Sequence, residues 1–396
     1  MQIRVSSLFI ACALICLYSC ESTNDSLPVT TAAPASPSLP HYKLITGKPK
    51  TVGDITDIAK SVKKIRLSTE VAEKLGYIEH FYVVDQTDLI LVDEEAATIT
   101  RINHDGEIVW RVFSRSDDYR YYTHFDECAF DPFNERIAVH SGREVFLFDF
   151  SGNPVSVSKK PSFDYHQLAI ASERDVVYSA QGLRNTHIMD ESNQLFWVRD
   201  SSDPVGLISP VPYAPEYNFV GGMPQFTRMG GRLLYHAVLR DAFYEIDLPN
   251  VTPVFTFDLP GSITLEDVMK NQNIDNKLRF LFENNYPVPT SIGADDEMLC
   301  ITYRHSKSAY LGLLDRKSSE WLINNEILRY DDLVFQAPLI ENGRHLLHVM
   351  PNYQVAHYAK LAQGASATDT DWQEELSRLD EEYDDTGGKT IFLMEL

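Results

Sequence analysis

The chain has 396 residues, of which 44% are hydrophobic and 11% aromatic, and this supply of apolar side chains is sufficient for a large core. The formal net charge is −22 at pH 7, and an electric field of that sign repels nucleic acid and anionic lipid. Nucleic acid is therefore not an expected partner. Solubility is the simplest reason for the acidity, and attraction of cationic ligands or metal ions is the alternative.

The first twenty residues have the pattern of an export signal that ends in a lipid-modified cysteine. Arg4 gives a weakly positive start, and the apolar run from Leu8 to Leu17 is short for a bilayer-spanning helix. The sequence Leu17-Tyr18-Ser19-Cys20 then resembles the processing site of bacterial lipoproteins. We expect residues 1–19 to be a signal peptide and Cys20 to carry lipid. The alternative is an ordinary signal peptide with a chance cysteine.

Residues 20–40 are rich in Pro, Ser, Thr and Ala and show no periodic apolar pattern, so we expect a flexible linker after the lipidated cysteine. The remaining residues, 41–396, are expected to form one domain. A lipid on Cys20 would make the membrane a partner. The expected location is the cell envelope, at the outer membrane, with the domain facing the periplasm or the cell exterior.

From residue 62 onward, β-type patterns recur with one plan, an apolar strand, a polar turn and a second apolar strand. Asp105-Gly106 and Ser151-Gly152 are turn residues of the kind that tight hairpins require. The predicted turn of the third hairpin is Glu191-Ser192-Asn193. The five hairpins span residues 99–110, 145–157, 187–198, 243–257 and 310–323.

A second pair of apolar stretches precedes each hairpin, at residues 77–93, 127–141, 166–180, 224–238 and 290–303. The repeating unit is therefore four strands in roughly 40–60 residues, which is the size of a propeller blade. Strands at 62–68, within 335–350 and at 389–396 remain for a sixth unit. Strands from the two ends of the domain would complete it and close the ring. The predicted fold is an all-β, six-bladed β-propeller.

Two segments interrupt the β pattern, and both are predicted to be short helical insertions. Residues 262–285 begin with a capping-box-like sequence, and residues 371–385 are acidic and amphipathic. A helix that covers a sheet edge is the simpler interpretation of each, and a functional lid is the alternative.

The order of these units resembles the six-bladed β-propeller lipoprotein family of Bacteroides-type bacteria, which is distantly similar to NHL-type propellers. The resemblance is carried by residues 89–109, by residues 239–260 and by the final segment GGKTIFLMEL. Many family members have a Gly-Pro-Gly-Glu-type loop between their first two blades, whereas residues 113–127 of this chain contain no Gly or Pro. The resemblance implies a fold and a location but no particular activity.

Catalytic and metal-binding motifs are absent from the sequence: there is no P-loop, HExxH, GxSxG or dinucleotide fingerprint. His345 and His348 lie three apart on a predicted strand and would point to opposite faces, so we expect no metal there and no cofactor. Cys128 and Cys300 lie in apolar strand patterns. We expect buried thiols, with a disulfide as the alternative.

The candidate ligand site consists of aromatic and ionisable residues in loops expected at the mouth of the central channel. Aromatic rings stack on sugars, and Arg pairs with carboxylates, although surface packing is the simpler alternative. A further candidate is the segment 213–219. The main candidates are Tyr119, Arg120, Tyr122 and His124 in one loop and Arg304 and His305 in another.

The sequence thus favours a non-catalytic binding or scaffold lipoprotein whose partner is a protein or a glycan-like ligand. The alternative is a propeller lyase or hydrolase with its active site at the channel mouth. Such an enzyme would need two carboxylates, or a metal with a histidine, brought together from different blades.

Overall fold

The structure is a computed structural model. It describes residues 40–43, 52–84, 88–113, 125–131, 133–180, 185, 195–200, 202–207, 226–229, 231–237, 242–258, 286–305, 308–325, 327–330, 333–335, 339–341, 344–352, 355 and 388–396. Within these ranges, no helix is long and apolar enough to cross a membrane. Both predicted helical insertions, at 262–285 and 371–385, lie outside the described residues.

The described part of the chain is built almost entirely from short strands. It begins with β1 (His41–Lys43), β2 (Val52–Asp54), β3 (Ser61–Leu67) and the short helix α1 (Thr69–Lys74). Blade 1 contains β4 (His80–Val84), β5 (Asp88–Asp93), β6 (Thr98–Ile102) and β7 (Ile108–Phe113). Blade 2 contains β8 (Glu127–Asp131), β9 (Arg136–Ser141), β10 (Glu144–Asp149) and β11 (Pro154–Lys159). Blade 3 contains β12 (Gln167–Ile170), β13 (Asp175–Ser179), β14 (Leu195–Arg199) and β15 (Val205–Leu207).

The second half of the chain continues the same pattern. Blade 4 contains β16 (Phe226–Met229), β17 (Arg232–His236), β18 (Ala242–Asp247) and β19 (Asn250–Asp258), and β1 adds to β19 in parallel. Blade 5 contains β20 (Val288–Ala294), β21 (Met298–His305), β22 (Ser308–Asp315) and β23 (Glu320–Asn325). A small extra sheet joins β2 to β24 (Ile327–Tyr330) and β25 (Leu333–Phe335). Blade 6 contains β26 (Leu339–Glu341), β27 (His345–Pro351), β28 (Lys389–Glu395) and β3.

Six antiparallel sheets therefore form a ring, and the prediction of an all-β, six-bladed propeller is confirmed. The first strands of neighbouring blades contact one another, as β8 does with β12 and β20 with β26, so the first strand of each blade lies nearest the central axis. Blade 6 takes three strands from the C-terminal part of the domain and its outer strand, β3, from the N-terminal part. This pairing closes the ring as predicted.

The apolar core lies between neighbouring blades, because both faces of each sheet are covered. Ile90 of blade 1 and Val139 of blade 2 belong to one buried cluster, and Leu91 of blade 1 and Leu347 of blade 6 belong to another. This arrangement explains why the strands are apolar on both faces rather than alternating.

The turn between the third and fourth strands uses the same hydrogen bond in three blades. The side-chain Oδ1 atoms of Asn103, Asp149 and Asp315 accept a backbone N–H from two residues further on, at 3.1, 2.9 and 2.8 Å. Gly106 follows in the first of these turns with a φ of 81°. A Cβ on Gly106 would lie 2.1 Å from the carbonyl oxygen of Arg66, so this turn also packs on the outer strand of blade 6.

Two elements differ from the prediction. The predicted hairpin at 187–198 has its second half in β14, which pairs with β13 and with β15. The outer hairpin of blade 3 therefore turns between Arg199 and Val205. The sequence did not predict this hairpin, because the three-residue strand β15 is too short to give a periodic signal. Helix α1 was not predicted. The Oγ atom of Ser68 caps it by accepting the N–H of Val71 at 3.3 Å.

Candidate functional site at the mouth of the ring

Strand direction gives the ring two distinct faces. Each first strand begins, and each second strand ends, at the same face, which we call the mouth face. The connection from the last strand of one blade to the first strand of the next arrives there too. Because β7 ends at Phe113 and β8 begins at Glu127, the aromatic loop between them joins blades 1 and 2.

The predicted residues of that loop, Tyr119, Arg120, Tyr122 and His124, lie outside the described residues, as does the segment 213–219. Their position at the mouth stays a prediction.

Arg304 and His305 lie at the end of the second strand of blade 5, at the mouth face. Arg304 is exposed and pairs with Val288 of β20 and Ala309 of β22, and His305 pairs with Ser308. In a ring of six, blade 5 lies opposite blade 2. The predicted proximity of Arg304 to the loop between blades 1 and 2 stays a prediction.

Ionisable side chains of blade 1 meet where β4 begins and β5 ends. The Oε2 atom of Glu79 accepts the backbone N–H of Glu94 at 2.9 Å. The Nε2 atom of His80 lies 3.0 Å from Oε1 of Glu94. These contacts hold two carboxylates and one imidazole together at the mouth face.

Blade 2 brings a second group of ionisable side chains to the same face. The Oδ2 atom of Asp126 accepts the backbone N–H of Gly142 at 2.7 Å and lies 3.6 Å from Nε2 of His140. Glu127 is the cross-strand partner of His140, so their side chains lie on the same face of the sheet. We call Glu79, Glu94, Asp126 and Glu127 the acidic mouth cluster.

Burial and mutual repulsion change the protonation of this cluster. Desolvation, and then the charge of Glu94, raise the pKa of Glu127 well above its ordinary value. Desolvation also raises the pKa of Glu79, the hydrogen bond from the backbone N–H of Glu94 lowers it, and the charges of Asp93 and Glu94 raise it further. Glu127 is therefore more readily protonated than an ordinary Glu side chain, and in its protonated form the carboxyl group can donate a hydrogen bond as well as accept one.

Tyr165 brings blade 3 to the cluster. Its ring lies 5.2 Å from the ring of His140 and 4.8 Å from that of Tyr178. Its side chain is 8% exposed, and its hydroxyl has no hydrogen-bond partner in the described part of the chain. Desolvation raises the pKa of Tyr165 most, and the charges of Tyr178, Glu127 and Asp126 raise it further.

No group of three or more His, Cys, Asp or Glu residues is arranged to hold a metal ion among the residues that the structure describes. Cys128 and Cys300 are buried thiols that form no disulfide, as predicted. His345 and His348 are both on β27, and desolvation lowers the pKa of each.

The acidic mouth cluster was not identified from the sequence. Glu79 and Asp126 directly precede the first strand of their blades, and Glu127 is the first residue of such a strand. Glu94 directly follows the end of a second strand. Once blades are assigned, these positions converge at one face in every propeller. Reading the residues at corresponding positions of successive repeats would have found the cluster.

No family model matches the sequence, and none of the curated proteins matches it. Among solved structures, a protein from Bacteroides fragilis that is provisionally described as exported is similar with a TM-score of 0.63 and 13% identity, over 91% of this chain and 99% of that chain. A DUF4221 family member from Bacteroides vulgatus has a TM-score of 0.50 and 10% identity, over 86% and 97%. At these identities the similarity shows the fold alone.

A virginiamycin B lyase from Staphylococcus aureus is also similar, with 12% identity over 72% of this chain and 78% of that chain. Its TM-score of 0.37 is too low to carry an argument about activity.

Proposed function

We propose that this chain is an exported, lipid-anchored propeller of the cell envelope that binds a protein partner or a glycan-like ligand at its mouth face. In this role it holds the ligand or acts as a scaffold without converting it. The proposal is carried by the group of ionisable side chains that blades 1, 2 and 3 bring to the mouth face. A connection between blades needs only turn residues, so half-buried carboxylates gathered at one face, together with the hydroxyl of Tyr165, which has no partner among the described residues, favour a ligand.

Export is supported by the amino-terminal pattern, with Arg4, the apolar run Leu8–Leu17 and Cys20. The structure from Bacteroides fragilis, which has the same fold and is provisionally described as exported, agrees with this location.

The chemistry of the mouth favours a polar ligand with hydroxyl or amino groups. Glu94, Asp126 and Glu127 offer acceptors, and Glu127 can donate when it is protonated. Sugars combine such groups with a flat face that aromatic rings stack on. To this site we also assign, as part of the proposal, Tyr119, Arg120, Tyr122, His124, Arg304 and His305.

Glycan-array binding by the full-length protein, together with photo-cross-linking of envelope proteins in cells, would test the proposal. Arg120→Ala should weaken the ligand or partner signal by about 1–3 kcal/mol, because a guanidinium paired with a polar group is lost. Its melting temperature should not change. The matched control is Arg174→Ala, since Arg174 is exposed in the turn between β12 and β13 at the opposite face. Equal losses in both variants would contradict a site at the mouth.

A second candidate function, acid–base cleavage of a glycan, is favoured by Glu94 and Glu127. They are carboxylates from neighbouring blades, and the pKa of Glu127 is raised partly by the charge of Glu94. A protonated carboxylic acid near an ionised carboxylate is the arrangement that glycoside cleavage uses. The same array hits decide between the two functions. If the wild-type protein cleaves a bound glycan and Glu127→Gln binds that glycan without cleaving it, the enzyme is favoured. If the wild-type protein binds the glycan and forms no cleavage product, the binding protein is favoured.

A further inference from the structure

An exposed aromatic residue lies beside the carboxylates of blade 1. Tyr77 is in the connection from α1 to β4, three residues before the first strand of blade 1 begins at the mouth face, and it is 70% exposed. Other exposed large apolar residues, such as Val157 on β11 and Leu322 on β23, are on outer strands at the rim. Tyr77 differs from these because it adjoins an inner strand.

The connection that carries Tyr77 is held on both sides of this residue. Leu75 and Ile78 are buried, and the Nζ atom of Lys389 donates to the carbonyl oxygen of Leu75 at 2.6 Å. The backbone N–H of Glu79 donates to a carbonyl oxygen of β5 at 3.0 Å, which extends the pairing of β4 with β5. The backbone at Tyr77 is therefore fixed while its side chain is open to solvent.

The same connection packs closely against the end of β5. A Cβ on Gly76 would overlap Oδ2 of Asp93, which is buried and directly precedes Glu94. Two residues after Tyr77, the Oε2 atom of Glu79 accepts the backbone N–H of Glu94 at 2.9 Å. Contacts on both sides of Tyr77 thus bring the connection next to Glu94, in the acidic mouth cluster.

We propose that the ligand of the mouth face is a glycan and that Tyr77 is the surface on which one of its sugar rings stacks. This inference rests on the binding function proposed above and names the chemical class of its ligand. A pyranose ring has C–H groups on a face and hydroxyl groups around its edge. The phenol ring packs on the C–H groups, and the carboxylates of Glu79 and Glu94 accept hydrogen bonds from the hydroxyl groups.

Two features of Tyr77 favour a sugar over a protein partner. The apolar neighbours of Tyr77 in the connection, Leu75 and Ile78, are buried, so a single ring is exposed there rather than the patch of several apolar side chains typical of a protein interface. The backbone is also held before binding, and a Tyr side chain has few rotatable bonds, so little conformational freedom is lost when a small ligand stacks on it.

Saturation-transfer NMR and titration of the full-length protein with methyl glucoside, methyl galactoside and N-acetylglucosamine test this proposal. Tyr77→Ala should raise the dissociation constant about five- to tenfold, because the stacked ring is lost. Tyr77→Phe should stay within about twofold of the wild type, because the ring is kept. Phe133→Ala is the matched control, since Phe133 is 49% exposed but lies in the turn after β8, at the face opposite the mouth.

The pattern of saturation transfer gives a second readout, because a stacked aromatic ring saturates the C–H protons on one face of the sugar. Tyr77→Ala should lose this selectivity while its melting temperature stays unchanged. Weaker binding in Tyr77→Ala alone supports the proposal. Undiminished binding in Tyr77→Ala, or an equal loss in Tyr77→Phe or Phe133→Ala, overturns the role of Tyr77 and leaves the proposed function standing. A wild-type protein that binds none of the three sugars overturns the glycan assignment, and the cross-linking experiment then decides for or against a protein partner.

Discussion

The imidazole of His348 should make the stability of the folded domain depend on pH. It lies on β27, whose neighbours are β26 and β28, and desolvation lowers its pKa from 6.5 to about 4. A group with a depressed pKa resists protonation in the folded state. As pH falls from 6.5 towards 4, the unfolded chain takes up a proton that the folded chain does not, so stability is lost in that window.

We therefore predict that acidification destabilises the wild-type protein more than it does a His348→Gln variant. The difference should approach roughly 3 kcal/mol, because the shift of about 2.5 pKa units is multiplied by about 1.36 kcal/mol per unit. Urea unfolding of both proteins at pH 7 and near pH 4 measures it. If the two proteins lose stability in parallel, His348 is not the responsible group.

Individual residues were predictable where their role is local. Asp105 and Gly106 predict a hairpin, because a tight turn needs a residue with a positive φ. The structure has a turn at these residues, and the φ of Gly106 is positive. Glu127 is different, since its raised pKa comes from burial and from Glu94 of another blade. No pattern within a short window contains that partner, so the raised pKa of Glu127 could not be predicted from its local sequence, whereas comparing corresponding positions of successive repeats would have found the cluster.

At the scale of elements, long strands were predictable and three-residue strands were not. Pairs such as β9 with β10 are joined by short turns and carry continuous apolar runs. By contrast, β1 pairs with β19 in parallel, more than two hundred residues away, through only three residues. A strand that short has too few side chains for periodicity, and its partner is set by the tertiary fold.

The element whose removal should matter most is β28, because it lies between β27 and β3 in blade 6. We predict that deleting residues 389–396 destabilises the domain by several kcal/mol. The loss would remove the buried side chains of Ile391, Phe392, Leu393 and Met394, and would leave β3 without its partner. Denaturant unfolding followed by circular dichroism measures the effect.

A graded variant keeps this test informative if the truncated chain does not fold. Phe392→Ala leaves the backbone pairing intact but empties a fully buried position, so it should cost about 3–5 kcal/mol. Val157→Ala is the control, because Val157 is 55% exposed on the outer strand of blade 2 and should change stability little. Unfolding curves that match the full-length protein in both Phe392→Ala and the truncation would contradict the role of β28 in closing the ring.

The whole molecule combines a closed ring with a strong negative charge and an amino-terminal segment expected to anchor it. Ring closure leaves few open sheet edges, and a net charge of −22 disfavours self-association, so the domain is suited to exposure at a surface. The same charge repels anionic lipid, so the domain itself gives the protein little reason to stay on a membrane. Attachment therefore depends on the lipid proposed at Cys20.

We predict that Cys20→Ala moves the protein out of the detergent-soluble membrane fraction, or leaves it with its signal segment uncleaved. Several acyl chains on one cysteine hold a protein at a bilayer, since each buried methylene contributes about 0.8 kcal/mol. Metabolic labelling with a radioactive fatty acid, followed by cell fractionation, measures both outcomes. Cys16→Ala is the matched control, because Cys16 lies in the same apolar segment but four residues before the expected attachment point. It should keep full labelling. Label retained by Cys20→Ala, or lost equally from both variants, would show that Cys20 is not the lipidated residue.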